Sequence, residues 1–425
     1  MRVALAHPGI YDDADPLSFP PWGVLSVGTQ ALRAGHDVSV HDFNGVDPLS
    51  ASRLLLQHDP HIVGLTGKTG NSARRLCAIV GALRQQGFAG RIAVGGPLVS
   101  SFPNPNDELW SGVDARFTGE GELPFQRWLA NGAQPSTESQ PGIAGPLSEL
   151  SAAQWWQPLA RYVHSASNWP GLERAGLHVS SARGCTQRCT FCYLNTAYPN
   201  GRFRYLAAPE LLNQLNHVSR ILGVSGFYFV DDCFIATDSR RAEEFANLNI
   251  AQGSPFRFGL DAGIRDLARP ELLALMYEAG LRSLYVGVES GSSRIRRMLG
   301  KSSASADVAD LLNRTIENGV LVRASIGVGW PTETLDEAKS TLSLIDACPR
   351  LAFDAFRYQA LPGVPLTIRQ GPPLRTSLGH PAFDDFSLSN QSNHSAMSDS
   401  DFATMWAELS AREADRLSAY HAGRL

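Results

Sequence analysis

A chain of 425 residues exceeds what one hydrophobic core fills, since cores split into domains beyond ~250–300 residues, so two domains and a tail are expected. Its 37 basic and 41 acidic residues are interspersed and sum to −4, which gives no electrostatic basis for nucleic acid or an anionic membrane as partner. A small molecule or short peptide is the expected substrate, and 43% apolar residues suffice for a globular fold.

The opening segment has only four consecutive apolar residues before His7 and Pro8, too few for a signal-peptide core or a spanning helix, so the expected location is the cytoplasm. Short β-branched runs at 3–6, 37–42, 62–66, 91–94 and 115–118 then alternate with helical patterns that begin near Trp22, Pro48, Asn71 and Asn104. That alternation predicts a parallel, doubly wound sheet, with Gly35, Gly87, Gly90 and Gly112 where helices end. Residues 1–132 therefore read as a Rossmann-like domain. Residues 133–175, rich in Pro, Gly and Ser and then in Trp155, Trp156 and Trp169, read as a linker.

Apolar strands resume at 177–181, 226–230, 256–260, 283–288, 320–328 and 353–361, and these six βα units suit a partial parallel barrel over residues 176–370. Its chemistry is expected at the carboxyl ends of the strands. Residues 371–425 hold a polar run and a helical pattern at 401–421, a cap or tail. The fold class is α/β throughout.

Six cysteines are present, of which Cys185, Cys189 and Cys192 crowd into eight residues while Cys77, Cys233 and Cys348 stand far apart. That distribution points to metal ligation in a reducing compartment. A loop of this length, directly after a predicted strand, can wrap three irons of a 4Fe-4S cubane and leave the fourth open to a substrate or cofactor. The alternative is zinc, which in structural sites wants four ligands; His178 lies upstream on a strand and His217 within a helix, so no fourth ligand stands at suitable spacing.

With Phe191 before the third cysteine and Tyr193 after it, the segment resembles the radical S-adenosylmethionine (SAM) superfamily, and three further motifs extend the resemblance over residues 177–365. The resemblance implies that Cys185, Cys189 and Cys192 hold the cluster, whose open iron chelates SAM. Reductive cleavage, fed by a donor such as flavodoxin or ferredoxin, would then release a 5'-deoxyadenosyl radical. Phe229-Val-Asp-Asp-Cys-Phe looks like the family's Phe-x-Asp-Asp-Asn-Phe segment, which implies Asp231 and Asp232 near the methionine amino group. As a bare pattern, the two acids equally suit a helix N-terminus. Cys233 stands where Asn is common, as a filler or as a thiol donor, and Tyr228 and Asp232 are the expected catalytic groups beside the cysteines.

Tyr285-Val-Gly-Val-Glu-Ser-Gly resembles the family's ribose-binding segment, which implies that Glu289 and Ser290 bond the hydroxyls while Gly291 lets backbone approach the ligand. Ile326-Gly-Val-Gly-Trp-Pro-Thr-Glu-Thr matches a Gly-x-Pro-Gly-Glu-Thr pattern and implies Gly327 and Gly329 beside the adenine. Thr332 stands where Gly is usual, and a helix is expected from Glu333.

The N-terminal strands, with Pro20-Pro-Trp-Gly, Val94-Gly-Gly-Pro and Gly119-Glu-Gly-Glu, are similar to the cobalamin-binding domain of one radical SAM subclass. Alignment to it implies a corrin site at Thr66, Lys68, Gly95, Gly96, Gly119 and Glu120. Lys68 replaces a Leu, and Leu98 stands where His is often found. Asp59, His61 and Gly64 match a cobalt-ligand pattern formally, but His61 opens a buried strand, whereas a ligand must project beyond a strand's carboxyl end.

The resemblance supports cobalamin-dependent C-methylation of a small, secondary-metabolite-like molecule, with cofactors meeting at the domain interface. The alternative is cobalamin-independent dehydration or epimerisation of a sugar- or aminoglycoside-like polyol, with Tyr228, Asp231, Asp232, Arg204, Tyr205 and Arg257 at a polar barrel mouth. A non-catalytic iron-sulfur or corrinoid carrier would not need the strand-end motifs.

Overall fold

Alternation of apolar strands with amphipathic helices resolves into two separate parallel sheets, seen in a computed structural model. It describes residues 1–10, 19–104, 106–136, 139–140, 157–164, 174–194, 203–301, 307–361, 363–370 and 393–421. The expected Trp-rich linker around Trp155, Trp156 and Trp169, and the polar segment before 393, lie outside the described residues. The chain divides into two units, one of Met1–Trp155, Cys192–Asn200 and Leu361–Ser389, the other of Trp156–Phe191, Gly201–Ala360 and Asn390–Leu425.

In the first unit run β1 (Arg2–His7), α1 (Trp22–Arg33), β2 (Asp37–Asp42), α2 (Pro48–Leu56), β3 (Ile62–Thr66) and α3 (Asn71–Gln85). They are followed by β4 (Arg91–Gly95), α4 (Pro97–Ser101), β5 (Ala115–Phe117), α5 (Glu122–Ala130) and β6 (Ser139–Gln140). The sheet order is β2-β1-β3-β4-β5-β6, all parallel. Both faces are covered, by Leu76, Ile79 and Leu83 on one side and Phe125, Trp128 and Leu129 on the other, which is why the inner strands β1, β3 and β4 are mostly apolar. Strand order reverses between β1 and β3, and such a switch point opens a ligand crevice at the carboxyl ends.

The helix expected near Asn104 is absent. The chain turns into α4 directly after β4, because Pro97 at its first position lacks the N–H that a helix start leaves unbonded anyway, and a 3-10 turn follows at Glu108–Trp110. Sequence periodicity also missed α5 and β6.

The second unit begins with β7 (Gly176–Val179), β8 (Ala182–Arg183), β9 (Arg204–Tyr205), α6 (Ala208–Leu222), β10 (Gly226–Phe229) and α7 (Arg240–Ala251). Next come β11 (Arg257–Gly263), α8 (Ile264–Leu267), α9 (Pro270–Glu278), β12 (Leu281–Glu289), α10 (Ser293–Met298) and α11 (Val308–Glu317). The order closes with β13 (Leu321–Val328), α12 (Leu335–Asp346), β14 (Ala352–Arg357), α13 (Pro365–Gln370) and α14 (Asp399–His421), of which α13 is grouped with the first unit. Six parallel strands lie in the sequential order β7-β10-β11-β12-β13-β14, an open half-barrel, as the six expected βα units require.

The helix expected from Glu333 starts at Leu335 instead. Thr334 caps it by accepting from the Glu337 N–H while Glu337 reciprocates, a capping box that the sequence Thr-x-x-Glu encodes. Helix α14 lies along β14, where Glu413 accepts from the Ala355 N–H at 2.7 Å, the Arg357 guanidinium sits 4.7 Å from the Trp406 ring, and Arg412 pairs with Asp346 of α12. No helix among the described residues is long and apolar enough to cross a membrane.

Gly291 follows β12 where the chain crosses α12 at backbone distance: a Cβ there would stand 2.3 Å from the Ser340 carbonyl oxygen and 2.6 Å from the Thr341 Cα. The close approach serves this helix. Gly291→Ala is expected to lower stability by about 2–3 kcal/mol, as overpacking against rigid backbone does, measured by urea unfolding.

Candidate active site

The cysteine loop leaves β8 and returns at β9, and the antiparallel pairs Ala182–Tyr205 and Arg183–Arg204 fasten its base. Upstream, the connector from β7 to β8 is held by Asp231, which is almost fully buried: its Oδ1 accepts the Ser181 and Ala182 N–H groups at 2.6 and 2.8 Å, and its Oδ2 accepts the Ser181 hydroxyl. Arg241 reinforces the knot by donating to Ser181 Oγ at 2.6 Å and to the Leu206 carbonyl at 2.9 Å. Burial pushes the Asp231 carboxyl above its ordinary range, against the pull of Arg241 and these donors. Both of its oxygens thus already serve the chain at the position where the methionine amino group is expected. Asp232 differs: it accepts from the Gly184 N–H at 3.1 Å, at the root of the loop.

Within the loop, the Cys185 sulfur accepts the Gln187 N–H at 3.3 Å, and Thr190 docks onto the end of α10 through Leu299 and Met298 carbonyls at 2.9 and 3.0 Å. Burial pushes the Cys189 thiol up, while Lys301 and Arg265 draw it back toward thiolate. Phe191 packs edge-on against Trp330 at 5.3 Å, and the Lys301 ammonium lies 5.7 Å from the Phe191 ring centre. Cys192 and the exposed Tyr193 follow in sequence and fall in the first unit. Among the described residues, no group of three or more His, Cys, Asp and Glu side chains is arranged to hold a single metal ion. Burial pushes the distant Cys77 and Cys348 thiols up to about 11, which makes them inert packing residues.

At the end of β12, Glu289 takes a left-handed backbone conformation with φ of 69°, a strain that non-glycine residues bear mainly at functional sites. Lys301 holds one carboxylate oxygen at 2.6 Å and Ser325 the other at 3.1 Å. Sequence reasoning missed Lys301, although a signal existed: it is one of only three lysines in a chain with 37 basic residues. Ser290 is fully buried, its hydroxyl accepting the Ser292 N–H and meeting Thr341 within the turn that follows β12.

Gly327 and Gly329 make room for aromatic rings, since a Cβ would come within 2.5 Å of the Phe356 ring and 2.6 Å of the Phe402 ring. Thr332 adopts φ of 61°, the conformation a glycine would take, and is held there by Arg294 bonding its carbonyl and hydroxyl. Glu333 is fully buried, one oxygen accepting the Gly329 and Trp330 N–H groups, and burial pushes its carboxyl up to about 7.

The concave face of the half-barrel is polar. Tyr228 donates to Asp261 at 2.7 Å, and Arg323, opposite Tyr285 in the β12–β13 register, pairs with Asp354. Burial pushes the Asp261 carboxyl up to about 7. Of the residues expected at the mouth, Tyr228 and Asp232 are there, whereas Arg257 opens β11 at the opposite, amino end and bonds the Ser254 carbonyl. Arg204 and Tyr205 belong to the β8–β9 ladder, and Arg241 stacks on the Tyr205 ring.

In the first unit, Thr66, Lys68, Gly95, Gly96, Gly119 and Glu120 all lie at the carboxyl rim. A Cβ on Gly96 would collide with Thr66 Oγ1 at 2.5 Å, whereas one on Gly95 would meet nothing closer than 3.8 Å, so the rim is open there. Leu98 is core, packed against Gly67, which explains why no histidine stands in its place. His61 sits at the amino end of β3, where it accepts the Arg2 N–H at 3.0 Å, away from this rim.

Two stability effects follow. Asp231→Ala is expected to cost about 3 kcal/mol in urea unfolding, since it leaves buried donors and the Arg241 charge unmatched, and to speed tryptic cleavage after the exposed Arg188. A carboxyl whose folded value is raised, as that of Glu333 is, stabilises fully below its unfolded value and loses that contribution as pH climbs to about 7. Glu333→Gln, which cannot ionise, should therefore gain on the parent chain by up to ~3 kcal/mol between pH 4.5 and 8, read from unfolding curves at both ends.

Residues 179–345 match the Radical SAM superfamily. An uncharacterized methyltransferase of Pyrococcus horikoshii is 24% identical over 345 residues, covering 76% of this chain and 72% of its own. Among solved structures, the radical SAM methyltransferase TsrM of Kitasatospora setae, determined with tryptophan and a SAM analogue, superposes with a TM-score of 0.66 at 16% identity over 87% of this chain and 75% of its own. The cobalamin-dependent radical SAM enzyme OxsB, with aqua-cobalamin and SAM bound, gives 0.64 at 18% identity over 81% of this chain but only 51% of its own, so this chain spans about half of OxsB. At these identities the superpositions establish a shared fold. Residues 179–345 thus match a radical SAM domain, and over most of its length the chain is similar to a methyltransferase-type relative and shares the fold of radical SAM methyltransferases.

Proposed function

We infer that this chain is a cobalamin-dependent radical SAM C-methyltransferase acting on an unactivated C–H carbon of a small molecule. The observation that carries the reading is the coexistence of a cysteine loop anchored at the carboxyl ends of an open parallel barrel with a second sheet whose carboxyl rim leaves room at Gly95 on β4, next to β3 of its switch point. When bound, the cluster and SAM supply a 5'-deoxyadenosyl radical for hydrogen abstraction, and cobalamin supplies the methyl group.

Cys185, Cys189 and Cys192 would hold the cluster. The donor set fits: three half-buried thiols on one tethered segment, with two cations drawing Cys189 toward thiolate. A cubane takes its thiolates at separate corners, so it does not need the convergence that a single ion demands. Asp232, at the loop root, is placed to accept from the ammonium of SAM, and Glu289, oriented by Lys301 and Ser325, to bond its ribose. In the first unit Lys68 and the Thr66, Gly95 and Gly119 backbone would line the corrin.

Tyr228 and Asp261 give the concave face a hydrogen-bonding pair that holds or releases a proton near neutrality, suited to a substrate hydroxyl or amine. The same polar face favours a second reading, radical dehydration or epimerisation of a polyol without cobalamin. Flavodoxin or ferredoxin is the proposed electron donor, and a reducing cytoplasm the proposed location.

The test is anaerobic reconstitution with iron, sulfide and hydroxocobalamin, followed by desalting and elemental analysis. Near-stoichiometric cobalt beside a cluster is expected; a cluster without cobalt would overturn methyl transfer and leave the polyol reading. Cys189→Ala should keep its circular dichroism yet release no 5'-deoxyadenosine from SAM under dithionite, and undiminished release would remove Cys189 from the ligand set.

A further inference from the structure

Tyr228 leans from β10 across β11 to reach Asp261. A Cβ on Gly259, its register partner, would stand 2.7 Å from Tyr228 Cδ2, so the missing side chain there is what lets the hydroxyl donate to Asp261 Oδ1 at 2.7 Å. Asp261 is half-buried, and that hydroxyl is the only hydrogen-bond partner of its carboxylate among the described residues. Lys301 neutralises Glu289 at 2.6 Å and Arg323 neutralises Asp354, whereas Asp261 forms no ion pair among the described residues. His178, opposite Tyr228 on β7, supplies no charge either: burial, with His164 beside it, pushes its imidazole down to about 3. Burial, with Asp231 and Asp232 adding negative charge, pushes the Asp261 carboxyl up to about 7 against the pull of the Tyr228 hydroxyl. A cation brought to this carboxylate would relieve both effects.

We propose that Asp261 is a specificity-determining residue that receives a protonated amine of the substrate, with Tyr228 fixing the carboxylate that meets it. The inference rests on the concave face being the substrate side of a radical SAM enzyme, and it narrows the substrate to a small molecule that bears an ammonium group. Tyr228 occupies Oδ1 alone, which leaves Oδ2 to accept from a ligand. A charge-assisted bond from an ammonium is roughly twice as strong as one from a neutral hydroxyl, and this difference separates an amine from the corresponding alcohol. A neutral polyol would satisfy the lone pairs of Oδ2 yet leave the charge unmatched.

The test is saturation-transfer NMR of the reconstituted chain with SAM, using matched probes: glucosamine with glucose, tryptamine with tryptophol, and putrescine with butanediol. Iron content and 5'-deoxyadenosine release under dithionite are measured first, so failure of the radical SAM reading shows before any probe is added. In the parent chain at least one amine is expected to draw saturation several-fold more strongly than its alcohol counterpart. Asp261→Asn, which keeps the shape and an acceptor for Tyr228, should lose that preference while its circular dichroism is unchanged. Tyr228→Phe, which retains the charge, should keep the preference, and its loss there would transfer recognition to the hydroxyl and overturn the proposal. A parent chain that cleaves SAM yet prefers no amine overturns it too, as does a preference undiminished in Asp261→Asn. Alcohols bound in place of the amines would overturn it in favour of the polyol reading.

Discussion

The geometry of the second unit hangs on one buried carboxylate. A chain leaving a parallel strand at its carboxyl end exposes N–H groups that the sheet no longer satisfies, and here Asp231 collects those of Ser181 and Ala182 together with the Ser181 hydroxyl. In a low-dielectric setting such a network is strong only when complete. Arg241 adds to it from α7, donating to Ser181 Oγ and the Leu206 carbonyl, and so helps fix the point from which the cysteine loop departs. Asp232, the next residue, is offered to the loop root instead. Two adjacent acids divide the labour, one holding the β7–β8 connector and one the root of the cysteine loop.

That division marks the limit of what sequence could disclose. Strand periodicity located five of the six strands of the first sheet and all six of the second, with ends displaced by up to four residues, because most strands are apolar on their covered side and bounded by turn residues. The motifs at the strand ends were also legible, since a barrel places its chemistry there. What one dimension hides is the direction of each side chain. Asp231, Ser290, Gly327 and Gly291 stand in the expected motifs, yet they face the protein: their partners, Ser181, Thr341, Phe356 and Ser340, lie on other elements that periodicity cannot bring near. Lys301 was overlooked for the converse reason, since it reaches Glu289 from beyond α10.

Strand alternation on β12 and β13 sends Leu284, Val286, Val322 and Ala324 into the helical layer and Tyr285, Arg323 and Ser325 to the concave face. A closed barrel fills its interior with apolar side chains. Here the inner positions are hydrogen-bonding and acidic, so the cost of burying them is offset by pairing along the ladder, Tyr228 with Asp261 and Arg323 with Asp354. The strained backbone at Glu289 belongs to the same logic: a residue held in an unfavourable conformation by two side-chain partners cannot wander, and it presents a fixed acceptor rather than an adaptable one.

Helix α14 has a consequence for how another protein can approach. An open half-barrel leaves two sheet margins whose backbone groups invite an incoming chain to pair with them. Glu413 takes up the Ala355 N–H on the β14 margin, and on the β7 margin His164 exchanges both backbone bonds with Gly176. An incoming strand is thereby denied edge-to-edge pairing at these two points. Recognition there falls to side chains, where charge and shape can be tuned without disturbing the sheet.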